Sequence, residues 1–210
     1  SCDNDDDKTN ENVEKPTIDL KEVGEGNSKT AVAGSDLHLE GDILASGLIK
    51  SINVEIHQEE GGKDIVNHTW DASSEEGKQY IGVKNTHFHE HLDIPKDATP
   101  GSYHLHFTVT DQQGNQTTFE SELTIEAPDP DAAEFDNVKI GKDNNMAGQV
   151  GSTVPVSVSI KTKQPIKEIE VEFHGDGGEF PTAYTDKYAG KTDVQFSEDV
   201  PVPATAPAGE

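Results

Sequence analysis

The chain has 210 residues, of which 31% are hydrophobic, and 41 acidic against 16 basic side chains give a formal net charge of −25. Such an acidic surface repels the phosphates of nucleic acids and anionic lipids, which excludes a nucleic-acid-binding protein. No apolar run approaches the roughly 20 residues of a membrane-spanning helix. The hydrophobic residues alternate in an ordered way, which predicts a folded chain.

The first residues, SCDNDDDKTNENVEKP, contain the only cysteine, Cys2, so a disulfide within the chain is impossible. A small residue before this cysteine and an acidic run after it resemble the start of bacterial lipoproteins, in particular those exported to the outer face of the outer membrane of Bacteroidota. The resemblance implies that Cys2 is acylated and anchors the protein in the lipid bilayer. Residues 1–16 are then an acidic tether. The alternative is a solvated start with an incidental cysteine.

Two further stretches of the chain repeat at a fixed distance. IKSINVEIH (Ile49–His57) matches IKEIEVEFH (Ile166–His174), and GSDLHLEGDI (Gly34–Ile43) matches GSTVPVSVSI (Gly151–Ile160), both 117 residues further on (166 − 49 and 151 − 34). This spacing predicts a duplicated domain. The predicted segments after the tether are domain 1 at 17–127, a linker at 128–134 and a partial domain 2 at 135–210.

Within the first copy, hydrophobic side chains alternate with polar ones, which is typical of half-buried β-strands. The segment DQQGNQ after Thr110 predicts a hairpin loop. Glu90 falls at a core-facing position, which departs from the pattern. Many short strands without a helical stretch predict an all-β fold of tandem immunoglobulin-like sandwiches. The predicted inward residues are Leu37, Leu39, Ile52, Val54, Ile56, Phe88, Leu92, Ile94, Tyr103, Leu105, Phe107, Val109, Phe119, Leu123 and Ile125.

The phrase DIPKDATPGSYHLHFTVTDQQGN resembles bacterial immunoglobulin-like adhesin and fibronectin-type modules. It also resembles a family of immunoglobulin-like surface lipoproteins of Bacteroidota that carries a domain of unknown function. The second copy aligns as far as VPVPATAPAGE and has no equivalents of the last two strands. A sandwich without them exposes an apolar face, so we expect either further sequence or another element that completes the second copy.

Three histidines, His87, His89 and His91, occupy alternate positions in NTHFHEHLDIP and point away from the predicted core. His38 points outward from a strand that we expect beside them. Two histidines of one strand and a third from the next can bind zinc at about 2.1 Å. The spacing resembles a local pattern of carbonic anhydrases and cupins. The sequence therefore allows two interpretations: a site for zinc or another divalent metal, or a solvent-exposed face that has no ligand or meets a partner surface.

Other residues are candidates for contacts with a ligand or partner. His104 and His106 point outward from a strand that we expect beside that of His57, and His57 itself is interpreted as a strand-end residue. Trp70, the only tryptophan, is either an exposed stacking residue or a core residue. Calcium at the domain junction is the alternative to a solvated acidic linker, with oxygen ligands from Asp129, Asp131, Glu134 and Asp136.

No catalytic motif is present: the sequence has no Gly-x-Ser-x-Gly, no His-Glu-x-x-His and no glycine-rich phosphate loop. We therefore predict a non-catalytic cell-surface lipoprotein without a cofactor. The resemblance to Bacteroidota lipoproteins implies a binding or accessory subunit of an outer-membrane nutrient importer, in which a TonB-dependent barrel carries a lipoprotein lid of the starch-utilisation type. The alternatives are a divalent-metal-binding lipoprotein that uses the histidines of domain 1 and an adhesin-like spacer.

Overall fold

The computed structural model describes residues 13–175 and 178–203. In these ranges the chain forms thirteen strands and three short 3₁₀ turns, which confirms the predicted all-β class. The chain divides into two compact units, which we call domain 1 (Ser1–Pro128) and domain 2 (Asp129–Glu210). No helix within the described ranges has the length and apolar composition of a membrane span.

Domain 1 is an immunoglobulin-like sandwich of two sheets. Its strands are β1 (Thr17–Val23), β2 (Thr30–Val32), β3 (Asp36–Leu44), β4 (Ile49–Gln58), β5 (Val66–Trp70), β6 (Asn85–Asp93), β7 (Gly101–Asp111) and β8 (Gln116–Glu126). One sheet has the order β1-β3-β6 and the other has the order β2-β8-β7-β4-β5. Neighbouring strands are antiparallel except β2 and β8. The Tyr103 hydroxyl donates to the carbonyl oxygen of Thr99 at 2.6 Å and fixes the entry to β7.

The core of domain 1 lies between its two sheets and follows the predicted alternation. Leu39, Ile56, Phe88 and Phe107 are fully buried. Trp70 is 2% exposed and packs edge-on against Phe88, with ring centroids 5.0 Å apart. Of the two interpretations of Trp70, the core residue is therefore confirmed and the exposed stacking residue is wrong, because the position on β5 directs the indole into the core.

The core-facing position of Glu90 is explained by a partner that the strand pattern does not show. The Tyr80 hydroxyl donates to Glu90 Oε1 at 2.8 Å, and Tyr80 itself is buried. Burial and then the hydrogen bond to Glu90 raise the pKa of the Tyr80 phenol. The half-buried carboxylate thus has a fixed donor, so a strand with one acidic side chain turned inward is stable here.

Domain 2 has its own smaller core, in which Val154, Ile160, Phe196 and Val200 are buried. Its described strands are β9 (Glu134–Ile140), β10 (Thr153–Lys161), β11 (Ile169–Gly175), β12 (Gly178–Tyr184) and β13 (Asp193–Pro201). They form a sheet of order β13-β10-β9 and a pair β11-β12. β9 and β10 begin 117 residues after β1 and β3 (134 − 17 and 153 − 36), the distance that also separates the two copies in the sequence.

Candidate metal centre

The outer surface of the three-stranded sheet of domain 1 carries the histidines that the sequence singled out. β3 pairs with β6, which confirms the predicted neighbourhood of these two strands. Their inward residues, such as Leu39 and Phe88, fill the core, so the residues between them point outward. Three cross-strand pairs result, which together we call the histidine face: His38 with His91, Glu40 with His89, and Asp42 with His87.

Strand β1 adds a second carboxylate beside the histidine face. β1 pairs with β3 through a bulge between Leu20 and Glu22, which sets Glu22 opposite Glu40. Gly41 makes this possible, because a Cβ there would lie 2.3 Å from the carbonyl oxygen of Asp19. Neither β1 nor the role of Glu22 is predicted from the sequence, since the bulge interrupts the alternation of TIDLKEV on which strand prediction depends.

Three imidazole rings converge at one end of the histidine face. The ring centroids of His38 and His89 lie 4.7 Å apart, those of His38 and His91 5.0 Å, and those of His89 and His91 5.3 Å. One ligand atom from each of the three lies within 4.8 Å of the other two. Glu22, His38 and Glu40 form a second group of this kind. The two groups share His38, so the orientation of this ring decides between them.

Contacts with carboxylates indicate which nitrogen of His38 and of His91 has a lone pair for a cation. His38 Nε2 lies 2.7 Å from Glu22 Oε2, and His91 Nδ1 lies 3.0 Å from Asp36 Oδ2. An ionised carboxylate only accepts, so these two nitrogens carry the hydrogen in the neutral rings. The remaining lone pairs, on His38 Nδ1 and His91 Nε2, face each other at 3.5 Å. This arrangement favours the group of three histidines over the group of one histidine and two carboxylates.

His87 lies on the histidine face but outside this convergence. Its Nδ1 is 2.8 Å from Asp42 Oδ1 and its Nε2 is 2.9 Å from Glu40 Oε1. The hydrogen bond with Asp42 raises the pKa of His87, and Glu40 adds to this. The same bond lowers the pKa of Asp42. Of the four predicted ligands, the structure therefore brings His38, His89 and His91 together and places His87 in an ion pair.

The ion pair of His87 gives domain 1 a pH-dependent stability. The raised pKa of His87 means that its contribution is full below the ordinary value of 6.5 and is lost as the pH rises through the raised value. Burial acts to raise the pKa of Glu40, but the hydrogen bond from His87 and the neighbouring histidines lower it on balance. The contribution of these two carboxylates to stability is therefore present above their ordinary pKa values, 4.5 for Glu40 and 3.8 for Asp42, and is lost as the pH falls through their lowered pKa values.

We expect the wild type to be more stable than the variant His87→Gln, and the difference in free energy of unfolding between them to be larger at about pH 5.5 than at about pH 8. At either pH this difference between the two proteins stays below about 1 kcal/mol, because His87 is 39% exposed and water screens the pair. Urea denaturation of both proteins at the two pH values, with a chelator present, measures it. A difference that is equal or larger at the higher pH would contradict the assignment.

The remaining predicted residues lie elsewhere. His104 and His106 are half-buried on the outer surface of the five-stranded sheet, and β7 pairs with the strand of His57 as predicted. Cys2 lies outside the described residues. Among the residues that the structure describes, the acids of the predicted junction are not part of a converging group of ligand atoms. The calcium interpretation, which uses Asp129, Asp131, Glu134 and Asp136, stays a prediction.

Comparisons with known proteins give a family and a set of distant structural similarities. A family model described as a domain of unknown function, DUF4625, matches residues 1–126. No curated protein matches the chain significantly. The structure is similar to dimeric latent PorU from Porphyromonas gingivalis, with 15% identity and a TM-score of 0.37 over 94% of this chain and 18% of that one.

Two further solved structures are similar at the same low level. One is of a 1.5-MDa bacterial ice-binding adhesin, with 14% identity and a TM-score of 0.30 over 88% of this chain and 53% of that one. The other is the D1–D4 ectodomain fragment of ICAM-5, with 12% identity and a TM-score of 0.31 over 88% of this chain and 52% of that one. The chain thus spans about half of these two and a small part of PorU.

Proposed function

Since the chain belongs to the DUF4625 family, whose domain is of unknown function, we propose a function from the geometry of the histidine face. Domain 1 binds a divalent transition metal of the zinc type through His38, His89 and His91. The observation that carries this proposal is the pair of lone pairs on His38 Nδ1 and His91 Nε2, which face each other at 3.5 Å. Two lone pairs cannot hydrogen-bond to each other, and a cation between them satisfies both.

The distance fits tetrahedral zinc. Two imidazole nitrogens, each about 2.0–2.1 Å from the metal, are about 3.3 Å apart at a tetrahedral angle. The observed 3.5 Å differs from this by an amount that a small side-chain rotation removes. His89 is the third ligand, because its ligand atom lies within 4.8 Å of the other two. The fourth position is open to water or to an incoming ligand.

Carboxylates around the three histidines support the metal in a second way. Glu22 and Glu40 approach His38 Nε2, and Asp36 approaches His91 Nδ1, which is the usual arrangement behind metal-bound histidines. Such partners orient the rings and increase their basicity. They are part of the acidic excess that gives the chain its net charge of −25, and this excess attracts cations. Imidazole ligands favour zinc, copper, nickel and iron over calcium and magnesium.

The setting of this site is proposed from resemblance. The start of the chain supports a surface lipoprotein of a Bacteroidota outer membrane, anchored through acylated Cys2, and the metal would then be bound outside the cell. The predicted binding role next to a TonB-dependent transporter and its surface lipoprotein is compatible with metal capture. The adhesin-like spacer stays a prediction. In each of these roles the protein binds rather than catalyses.

Cobalt binding tests the proposed site in the intact chain. We expect metal-free protein to develop the intense visible absorption of tetrahedral Co²⁺ when Co²⁺ is added, and to lose it when Zn²⁺ displaces the cobalt. His91→Ala removes an exposed ligand without touching the core, so we expect at least about tenfold weaker binding at this site and loss of the absorption that the wild type develops at low cobalt concentration. A titration of wild type and variant followed by absorption makes the measurement.

The matched control for this experiment is His68→Gln. His68 is an exposed histidine on β5 of the other sheet, where it packs against Trp70. This variant should bind cobalt like the wild type, and circular dichroism should show all three proteins folded. The proposal fails if the wild type develops no tetrahedral spectrum, or if His91→Ala retains it at unchanged affinity.

A further inference from the structure

A second group of histidines lies on the outer surface of the other sheet of domain 1. His57 on β4 pairs with His104 on β7. Two residues along, on the same face of the sheet, Glu55 pairs with His106. On its other side His106 pairs with Glu120 of β8. The sheet thus presents histidines and carboxylates in adjacent rows, as the histidine face does, but with residues from three different strands.

A hydrogen bond of His57 and an ion-pair contact of His106 indicate which ring nitrogens carry the hydrogen. His57 Nδ1 lies 2.9 Å from the carbonyl oxygen of Gln58, which only accepts, so Nδ1 carries the hydrogen. His106 Nδ1 lies 3.4 Å from Glu120 Oε1, which favours the hydrogen on Nδ1 there as well. With the hydrogen on Nδ1 of both neutral rings, both Nε2 atoms carry a lone pair. These two atoms lie 3.0 Å apart.

Two arrangements satisfy the facing nitrogens: one ring carries its hydrogen on Nε2 and donates it to the other ring, or a metal ion lies between them. The metal requires the hydrogens on Nδ1 of both rings, where the Gln58 carbonyl and the Glu120 carboxylate lie next to them. The 3.0 Å separation is close to the roughly 3.3 Å between two nitrogens of one tetrahedral metal. The rings are nearly parallel, with an interplanar angle of 19° and centroids 5.1 Å apart, so both can present Nε2 to the same point.

We infer that His57 and His106 form a second site for a divalent transition metal, independent of the site on the histidine face. His57 and His106 supply two nitrogens, and water completes the coordination. Glu120 acts behind His106 as the carboxylate that orients the ring. The His104 ring lies 5.7 Å from that of His57, at the edge of the site. With two protein ligands rather than three, this site binds metal more weakly than the histidine face.

Metal stoichiometry of the intact chain tests the second site. Metal-free protein is dialysed against Zn²⁺ at neutral pH, and bound zinc is measured by elemental analysis. We expect two zinc ions per wild-type chain, one per chain for the double variant His57→Gln/His106→Gln, and two for the control His68→Gln. His57 and His106 are half-buried on the outer surface of the sheet, so the double variant should keep its fold, which circular dichroism checks.

The variants separate this inference from the proposed function. If the double variant binds as much zinc as the wild type while His91→Ala binds one ion less, the second site is refuted, the histidine face stands, and a proton occupies the position between the two nitrogens. If His91→Ala changes nothing and the double variant loses one ion, the second site stands alone. NMR of the ring nitrogens adds a direct readout, because Zn²⁺ should shift the Nε2 resonances of His57 and His106.

Discussion

Replacing Gly41 by alanine is expected to lower the free energy of unfolding of domain 1 by about 3 kcal/mol. The new Cβ would lie 2.3 Å from the carbonyl oxygen of Asp19 and 2.6 Å from the Cα of Leu20. Both atoms belong to the backbone of β1 at its bulge, so no side-chain rotation relieves the clash. β1 must move away from β3, which weakens the pairing of a whole edge strand. Urea denaturation measures the loss.

Gly114→Ala is the matched control for this prediction. Gly114 has a φ of +89° in the β7–β8 loop, and a Cβ there would meet nothing within 4 Å. Its substitution therefore tests backbone strain without a clash and should cost about 1 kcal/mol. Gly41→Ala should cost at least about twice as much. A smaller loss for Gly41→Ala than for Gly114→Ala would show that β1 accommodates the methyl group and that the bulge is adaptable.

The sequence predicts the strands whose alternation is complete and misses those whose alternation is broken. β3, β4, β6 and β7 each bury several alternate side chains, and all four are predicted. β1 is interrupted by its bulge, and β5 buries only Trp70, so neither shows the pattern. The Glu90 position looks like an error in the alternation because its partner, Tyr80, lies on a separate turn. Pairings of this kind depend on the tertiary fold.

The candidate site, too, is predicted where a local sequence pattern exists and missed where only the tertiary fold brings residues together. Period-two spacing is enough to place His87, His89 and His91 on one outward row with His38 beside them, since strand geometry determines it. Which three of the four converge is decided by the register and by the hydrogen bonds of Glu22 and Glu40, and the sequence contains no local signal for either. His57 lies near the end of β4, as interpreted, but for the same reason the sequence does not show that its ring meets His106 of another strand.

Replacing Asp111 by alanine is expected to destabilise domain 1 by about 3 kcal/mol, which corresponds to a melting temperature lower by about 10–20 °C for a domain of this size. Asp111 ends β7 and is fully buried. Its Oδ1 accepts from the backbone N–H groups of Gln113 and Asn115 at 2.9 Å each, and its Oδ2 accepts from Asn115 Nδ2 at 3.0 Å. Alanine leaves these donors without their acceptor in the loop that connects β7 to β8.

Two further variants make the Asp111 prediction specific. Asp111→Asn retains the oxygen for the two backbone donors but turns an amide towards Asn115 Nδ2, so we expect an intermediate loss of about 1–2 kcal/mol. Asp97→Ala removes an exposed aspartate from another loop and should change the stability by less than about 0.5 kcal/mol. Thermal and urea denaturation of all three variants rank them. If Asp111→Ala is no less stable than Asp97→Ala, water replaces the carboxylate in the loop, and the hairpin between β7 and β8 is held by its backbone hydrogen bonds alone.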